Sequence, residues 1–158
     1  MIKLIQTELV KQNFKIVEED QNRPWGGFFV ISEEQSQIFA NKYFNGLDVT
    51  SLKISGKLSP KILVVAPNMR LSWQYHHRRA EIWRVVHGIA GVIRSHSDFE
   101  NSLEILKIGE SITLMQGERH RLVGLDDYAV IAEIWRHTDV NNPSDEDDIV
   151  RLQDDFGR

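Results

Sequence analysis

A chain of 158 residues with a net charge of −4, 41% apolar and 27% charged, fits one soluble globular domain and shows neither disordered nor collagen-like bias. Its 23 acidic residues against 19 basic ones exclude the basic footprint of a general nucleic-acid binder. It has no cysteine, so no disulfide holds it, and a domain of this size buries enough surface to fold without one. No apolar run is long enough to cross a bilayer and residues 1–19 lack a signal-peptide core, so the cytoplasm is the expected compartment.

In chain order, Ile2, Ile5 and Leu9 recur at helical spacing and predict a short amphipathic helix packed on the side of the domain. Arg23-Pro24-Trp25-Gly26-Gly27 then punctuates the chain before residues 28–31, which read as a strand. Ser32-Glu33-Glu34-Gln35 matches a capping box for a second helix, whose buried face would be Ile38, Phe39 and Tyr43. Asn45-Gly46 supplies the left-handed turn that closes it. From Thr50 the pattern changes to short runs rich in Val, Ile, Leu and Trp, separated by Gly, Asn, Asp, Ser or Pro. Strands are predicted near 50–54, 61–66, 70–77, 81–87, 89–94, 102–107, 111–115, 119–124 and 128–136. So many short strands with almost no intervening helix imply an all-β sandwich or barrel. The acidic run Asp145-Glu146-Asp147-Asp148 reads as a solvated linker, and the apolar residues of 149–156 as a docking C-terminus.

Gln74 and His76 lie two apart in a strand-like run, so their side chains leave the same face. Glu81 follows after a tight turn, and in its strand Glu81, Trp83 and Val85 share one face. A hairpin can therefore bring an amide oxygen, an imidazole and a carboxylate to one point, and His120 from a distant strand can complete the set. Nitrogen and oxygen donors in this mixture suit Zn²⁺, Fe²⁺, Mn²⁺ or Ni²⁺. The competing reading is a histidine that is hydrogen-bonded for structural reasons, with glutamine an unusual metal ligand. Trp73, Tyr75 and His77 fall on the opposite face and are expected to pack rather than to bind. His87, His96 and His137 have no partner spacing and are read as structural or exposed.

The wider spacing resembles the two motifs of the cupin family. The first runs glycine, five residues, histidine, one residue, histidine, three or four residues, glutamate, six residues, glycine. The same places here hold Asn68, Gln74, His76, Glu81 and Gly88. The second runs glycine, five residues, proline, one residue, glycine, two residues, histidine, three residues, asparagine, and is met by Gly109, Met115, Gly117, His120 and Gly124. The stretch Leu71-Ser72-Trp73-Gln74-Tyr75-His76-His77-Arg78-Arg79-Ala80-Glu81-Ile82-Trp83 further resembles type II mannose-6-phosphate isomerases, which also place glutamine first. Arg23-Pro24-Trp25-Gly26, Gly117-Glu118-Arg119-His120-Arg121-Leu122 and Asp147-Asp148-Ile149-Val150-Arg151 extend the likeness, whereas 32–57 does not match well. Arg78, Ile82 and Met115 depart from the family's usual residues, and a pocket wall changed there would alter the substrate or abolish catalysis.

The resemblance implies a single cupin domain, an all-β double-stranded jelly-roll barrel with one or two short peripheral helices. Its parts would be an N-terminal extension over 1–49, a barrel over 50–137 and a docking tail over 138–158. It implies one divalent metal, zinc first, held by Gln74, His76, Glu81 and His120, and interconversion of mannose 6-phosphate and fructose 6-phosphate through an enediol-like species. The base candidates are Glu118, which alternation aims with His120, and Glu133, a charge inside the apolar run 130–135. For Glu133 the competing role is a salt bridge to a neighbouring arginine. Arg79 and Arg151 are the candidate phosphate anchors, Trp83 a candidate pocket wall, and Arg121 is expected on a surface or interface. A homodimer through exposed strand edges is expected. Other readings are an isomerase for another sugar phosphate such as a heptose phosphate, a non-catalytic sugar- or metabolite-binding cupin, and a metal-dependent oxygenase.

Overall fold

The structure is a computed structural model that describes residues 1–54 and 56–158. Among these residues α1 (Ile2–Lys11) leads into the strands β1 (Ile16–Arg23) and β2 (Gly26–Ile31), then a 3-10 turn (Glu33–Gln35) and α2 (Ser36–Tyr43). The strands that follow are β3 (Lys61–Val65), β4 (Trp73–Tyr75), β5 (Arg79–His87), β6 (Ala90–Ser95), β7 (Glu104–Leu106), β8 (Ser111–Leu114), β9 (Arg119–Gly124), β10 (Ala129–His137) and β11 (Val150–Gln153). They form two antiparallel sheets, six strands ordered β1-β2-β3-β10-β5-β8 and five ordered β11-β4-β9-β6-β7. This is the all-β cupin jelly roll with two short helices. Its sheets extend past 50–137 at both ends, through β1 and β2 and through β11. No helix among the described residues is long and apolar enough to cross a membrane.

Period-two alternation explains why β3 and β10 are apolar at almost every position. Ile62 and Val64 of β3, with Val130, Ala132 and Ile134 of β10, face α1 and α2 and pack with Phe29, Ile31 and Phe39. Leu63 and Val65, with Ala129 and Ile131, face the other way and fill the space between the sheets with Trp25, Phe28, Trp83, Val85 and Leu122. Glu133 belongs to that second, interior set by alternation, which is why a carboxylate in this strand is buried.

Several local expectations are corrected. Ser32 makes no side-chain cap, because its neighbours serve tertiary contacts instead. Glu33 accepts from the backbone N–H groups of Leu58 and Ser59 at 2.9 and 2.7 Å, and Gln35 bonds the backbone of Lys15 and Asn13. Rotation of α2 that buries Phe39 and Ala40 leaves Ile38 56% exposed, so it is not on the packed face. Asn45 and Gly46 do take positive φ, 53° and 75°. The strand expected over 50–54 is absent: the segment turns, and Ile54 forms only an isolated bridge to Lys57. The strand expected over 70–77 is regular only from Trp73 to Tyr75. Strand β1 was not foreseen, because as an edge strand with exposed Glu18 and Glu19 it has no alternating apolar face.

Gly124 stands where β9 passes under the 66–69 turn: an added Cβ would lie 2.0 Å from the carbonyl oxygen of Ala66. Backbone on both sides leaves nothing flexible to move. Gly124→Ala is expected to cost about 3 kcal/mol, the upper part of the overpacking range, measurable by denaturant unfolding.

Candidate metal centre

Three strands converge to build the site. Gln74 on β4 is the register partner of His120 on β9, and Glu81 reaches in from β5 across the interior. His76, Glu81 and His120 are each no more than 2% exposed, and one ligand atom from each lies within 4.8 Å of the others. His76 Nε2 is 3.0 Å from Glu81 Oε1, and His120 Nε2 is 3.4 Å from Glu81 Oε2.

The opposite ring nitrogens fix the chemistry of this trio. Nδ1 of His76 lies 2.7 Å from the carbonyl oxygen of Asp148, and Nδ1 of His120 lies 2.9 Å from that of Glu118. A carbonyl oxygen only accepts, so each Nδ1 carries the proton, and in the neutral form of either ring it is the Nε2 lone pair that is left facing the carboxylate. Burial lowers the pKa of His76 and favours that neutral form. Burial acts to raise the Glu81 carboxyl, but the surrounding His76, Arg79 and His120 groups outweigh it and hold it well below the usual carboxylate range. In the neutral form the His120 lone pair faces an ionised carboxylate, while that of His76 also meets Arg79 Nη2 at 3.3 Å, and a cation between the imidazoles and the carboxylate would satisfy all three groups. His120 Nε2 is buried without a hydrogen-bond partner among the described residues, so the donors present fit a divalent metal.

Gln74 borders the trio, with its amide Nε2 3.5 Å from His76 Nε2 and its Oε1 accepting from the Ser72 hydroxyl at 2.5 Å. Turning the amide over would present the oxygen instead, and the Ser72 hydroxyl can serve either atom. Arg79 is buried within the cluster rather than free. It donates to Glu81 Oε1 at 2.9 Å, to Ser144 Oγ and the Asp145 carbonyl at 2.9 Å each, and stacks 3.6 Å above the Trp135 ring. These protein partners occupy its guanidinium and neutralise Glu81, where an open phosphate anchor was expected, although Arg79 still lines the cleft beside Glu81.

Beside Glu81 a cleft opens between the sheets and the C-terminal segment, with Trp25, Phe28, Lys61, Trp83, Glu133, Glu146, Arg151 and Arg158 among its walls. Trp83 lines this cleft, and its indole N–H donates to Glu133 at 2.8 Å and Glu81 at 3.1 Å. Glu133 also accepts from the Trp135 indole at 2.7 Å, so two indoles hold it where an arginine salt bridge was the alternative. Burial first and the charge of Glu81 second push its pKa up to about 7, against the opposing pull of Lys61 and Arg79. Arg151 sits on β11 opposite Gln74, exposed at the cleft mouth, and no hydrogen bond or ion pair among the described residues holds its side chain.

Glu118 does not reach this cleft. It precedes β9 in a turn closed by its own N–H to the Met115 carbonyl, so strand alternation does not apply to it. Its carboxylate accepts from the Met115 N–H at 2.9 Å and lines a separate depression with Arg94 and His96, while its carbonyl serves His120. Arg121 is 1% exposed instead of lying on the surface. Leu71, Glu100 and Gln153 cover the outer face of β9 and take its hydrogen bonds. Ile82 packs against the helix-side core, Met115 is 55% exposed and Arg78 pairs with Asp145, so none of the three departures from the family pattern is a cleft wall. His137 is structural, accepting the Ser144 N–H at Nδ1.

The acidic run is not uniformly solvated. Asp148 is 4% exposed, and its carboxylate accepts from the N–H groups of His77 and Arg78 at 2.9 Å each and from the Ser144 hydroxyl at 2.6 Å. Burial acts to raise its pKa, but those hydrogen bonds hold it below its ordinary value. Nothing in composition marks it; the signals available were its place in the stretch 147–151 that extends the family likeness and its adjacency to Ile149, where the apolar tail begins to dock.

The chain matches the family described as mannose-6-phosphate isomerase C-terminal over residues 43–154. It is 34% identical over 128 residues to the alginate biosynthesis protein AlgA of Pseudomonas aeruginosa, a span of 80% of this chain and 24% of AlgA. It is 32% identical over 109 residues to the xanthan biosynthesis protein XanB of Xanthomonas campestris pv. campestris, 68% of this chain and 21% of XanB. This chain thus spans about a quarter of the length of these curated relatives. Among solved structures, the capsular polysaccharide assembling protein CapF of Staphylococcus aureus covers 89% of this chain and 34% of its own at a TM-score of 0.54 and 15% identity, a likeness of fold alone. The matched span takes in Gln74, His76, Glu81, His120 and Glu133 together, and the chain belongs to the mannose-6-phosphate isomerase C-terminal family.

Proposed function

We propose that this cleft interconverts mannose 6-phosphate and fructose 6-phosphate, with one divalent metal, zinc first, held by His76, Glu81 and His120. The observation that carries the reading is the juxtaposition, on one cleft, of Glu81 from that trio, a second carboxylate with its pKa near 7, and an unpaired arginine at the mouth. The metal would supply an electrophile for the oxygens at the reacting carbons.

The remaining work falls to the chain itself. Glu133 takes the proton from one of the two reacting carbons and returns it to the other. In the metal-free chain burial and the Glu81 charge push this carboxyl up to about 7, the direction that makes a carboxylate a better base for both halves of that transfer. The indoles of Trp83 and Trp135 hold the carboxylate in one orientation, and Trp83, with Trp25 and Phe28, walls the cleft with apolar surface. Arg151, whose guanidinium is free to make charge-assisted bonds, anchors the phosphate; Lys61 and Arg158 line the same cleft but are already paired, with Glu146 and Asp154.

Arg151→Ala is expected to raise KM for mannose 6-phosphate roughly 10–100-fold, the loss of one or two hydrogen bonds to a charged group, with a smaller change in kcat. A coupled assay on phosphorylated and unphosphorylated mannose checks this, and an equal loss on both sugars would remove Arg151 from phosphate binding. Two imidazoles and one carboxylate also suit an Fe²⁺ oxygenase. Oxygen uptake by the iron-loaded protein, without isomerase turnover, would replace the present reading with that one.

A further inference from the structure

Asp148 touches the metal centre through both its backbone and its side chain. Its carbonyl oxygen faces His76 Nδ1 at 2.7 Å, and its carboxylate spans the turn directly after His76, with Oδ1 on the N–H of His77 and Oδ2 on that of Arg78. Oδ2 also accepts from Ser144 Oγ, which in turn accepts from Arg79 Nη1 at 2.9 Å, and Arg79 Nε donates to Glu81 Oε1. One buried residue of the C-terminal segment is therefore linked to two of the three clustered side chains, directly to His76 and through Ser144 and Arg79 to Glu81.

We propose that Asp148 is a positioning residue of the centre: its carboxylate clamps the 76–78 turn so that its carbonyl locks the His76 tautomer, and docking of the C-terminal segment thereby sets metal affinity. The inference rests on the reading that His76, Glu81 and His120 hold a divalent ion. Partners of this kind fix ring orientation and tautomer, and their loss costs metal affinity although they never touch the metal. A carboxylate is required because donors meet both of its oxygens. An asparagine, whichever way it is turned, sets an NH₂ against a backbone N–H and leaves that donor orphaned.

The test uses the full chain, metal-free and titrated with Co²⁺ against a chelating indicator, with ¹⁵N spectra of the His76 ring recorded before metal is added. Asp148→Asn is expected to weaken Co²⁺ binding by roughly 10–100-fold, to alter the Co²⁺ absorption bands and to replace a single Nδ1–H tautomer at His76 by a mixture. Asp155→Asn is the matched control, since it removes the same charge from the same segment but breaks only the Arg70 pair on the surface; its affinity should equal wild type. If Asp148→Asn does not fold, Ser144→Ala removes the hydroxyl bridge between Asp148 and Arg79, two hydrogen bonds, while sparing the His77 and Arg78 contacts, and is expected to give a weakening of about the lower end of that range. Wild-type affinity and a single tautomer in the substituted proteins would overturn the proposal. Failure of the wild-type chain to bind Co²⁺, with a tautomer that still loosens in Asp148→Asn, would uphold the clamp on His76 and overturn the metal reading.

Discussion

His120→Ala is expected to weaken divalent-metal binding by more than ~100-fold and to reduce isomerase turnover to background, while the metal-free protein still folds. The expectation follows from the unpartnered Nε2: in the metal-free chain this atom makes no hydrogen bond among the described residues, so its loss orphans nothing on that side of the ring. The loss falls instead on the site, which drops from three protein ligands to two. Removing even a partner that only supports a ligand costs metal sites about 10–100-fold, and removing the ligand itself should exceed that. Competition titration with a chelating indicator reads the affinity, and circular dichroism reads the fold. Unchanged metal stoichiometry in His120→Ala would place the ion elsewhere.

Glu133→Gln is expected to lower kcat by about 10²–10⁴-fold, the usual contribution of a positioned acid–base group, with metal content unchanged. The same residue leaves a signature in stability. An unperturbed glutamate titrates near 4.5, whereas Glu133 in the folded chain keeps its proton up to about 7. Between those values the native state binds more protons than the unfolded state, so the metal-free protein loses stability on this residue's account as pH rises. Across the window the contribution is about 3 kcal/mol. Glutamine does not titrate, so the stability of Glu133→Gln relative to wild type should improve by about that amount between pH 4.5 and 7. Urea unfolding of both metal-free proteins at the two ends of the window measures it. Parallel pH dependence would mean that Glu133 ionises normally and lacks the tuning a base needs here.

What could be read from the sequence follows what period-two geometry controls. Glu81, Trp83 and Val85 share a face because they alternate along β5, and Gln74 in β4 and His76 just past its end still meet at one centre, so the approach of these side chains was legible in the sequence. Glu133 stood out because a charge inside an apolar strand has to be buried. The rule failed where its premise failed. Glu118 lies in a turn, so counting back two residues from His120 gave the wrong direction. Arg121 does alternate away from His120, but alternation says nothing about which segment then covers that face, and the 100 loop with β11 does so. Asp148 sits among exposed acids, and only the fold distinguishes the one whose carboxylate meets three donors. Strand β1 and the absent strand at 50–54 are the same error in opposite senses, since local composition stood in for pairing partners that lie far along the chain.

The central claim is that the His76–Glu81–His120 trio holds a metal needed for sugar-phosphate isomerisation, and the most direct test is one reconstitution series on the purified full chain. Metal content and mannose 6-phosphate turnover are measured as isolated, after chelation, and after adding back Zn²⁺, Mn²⁺, Fe²⁺ or Ni²⁺ separately. Stoichiometric metal, turnover lost with it, and recovery on readdition of at least one of these ions are expected. Full turnover in the metal-free protein would contradict the claim.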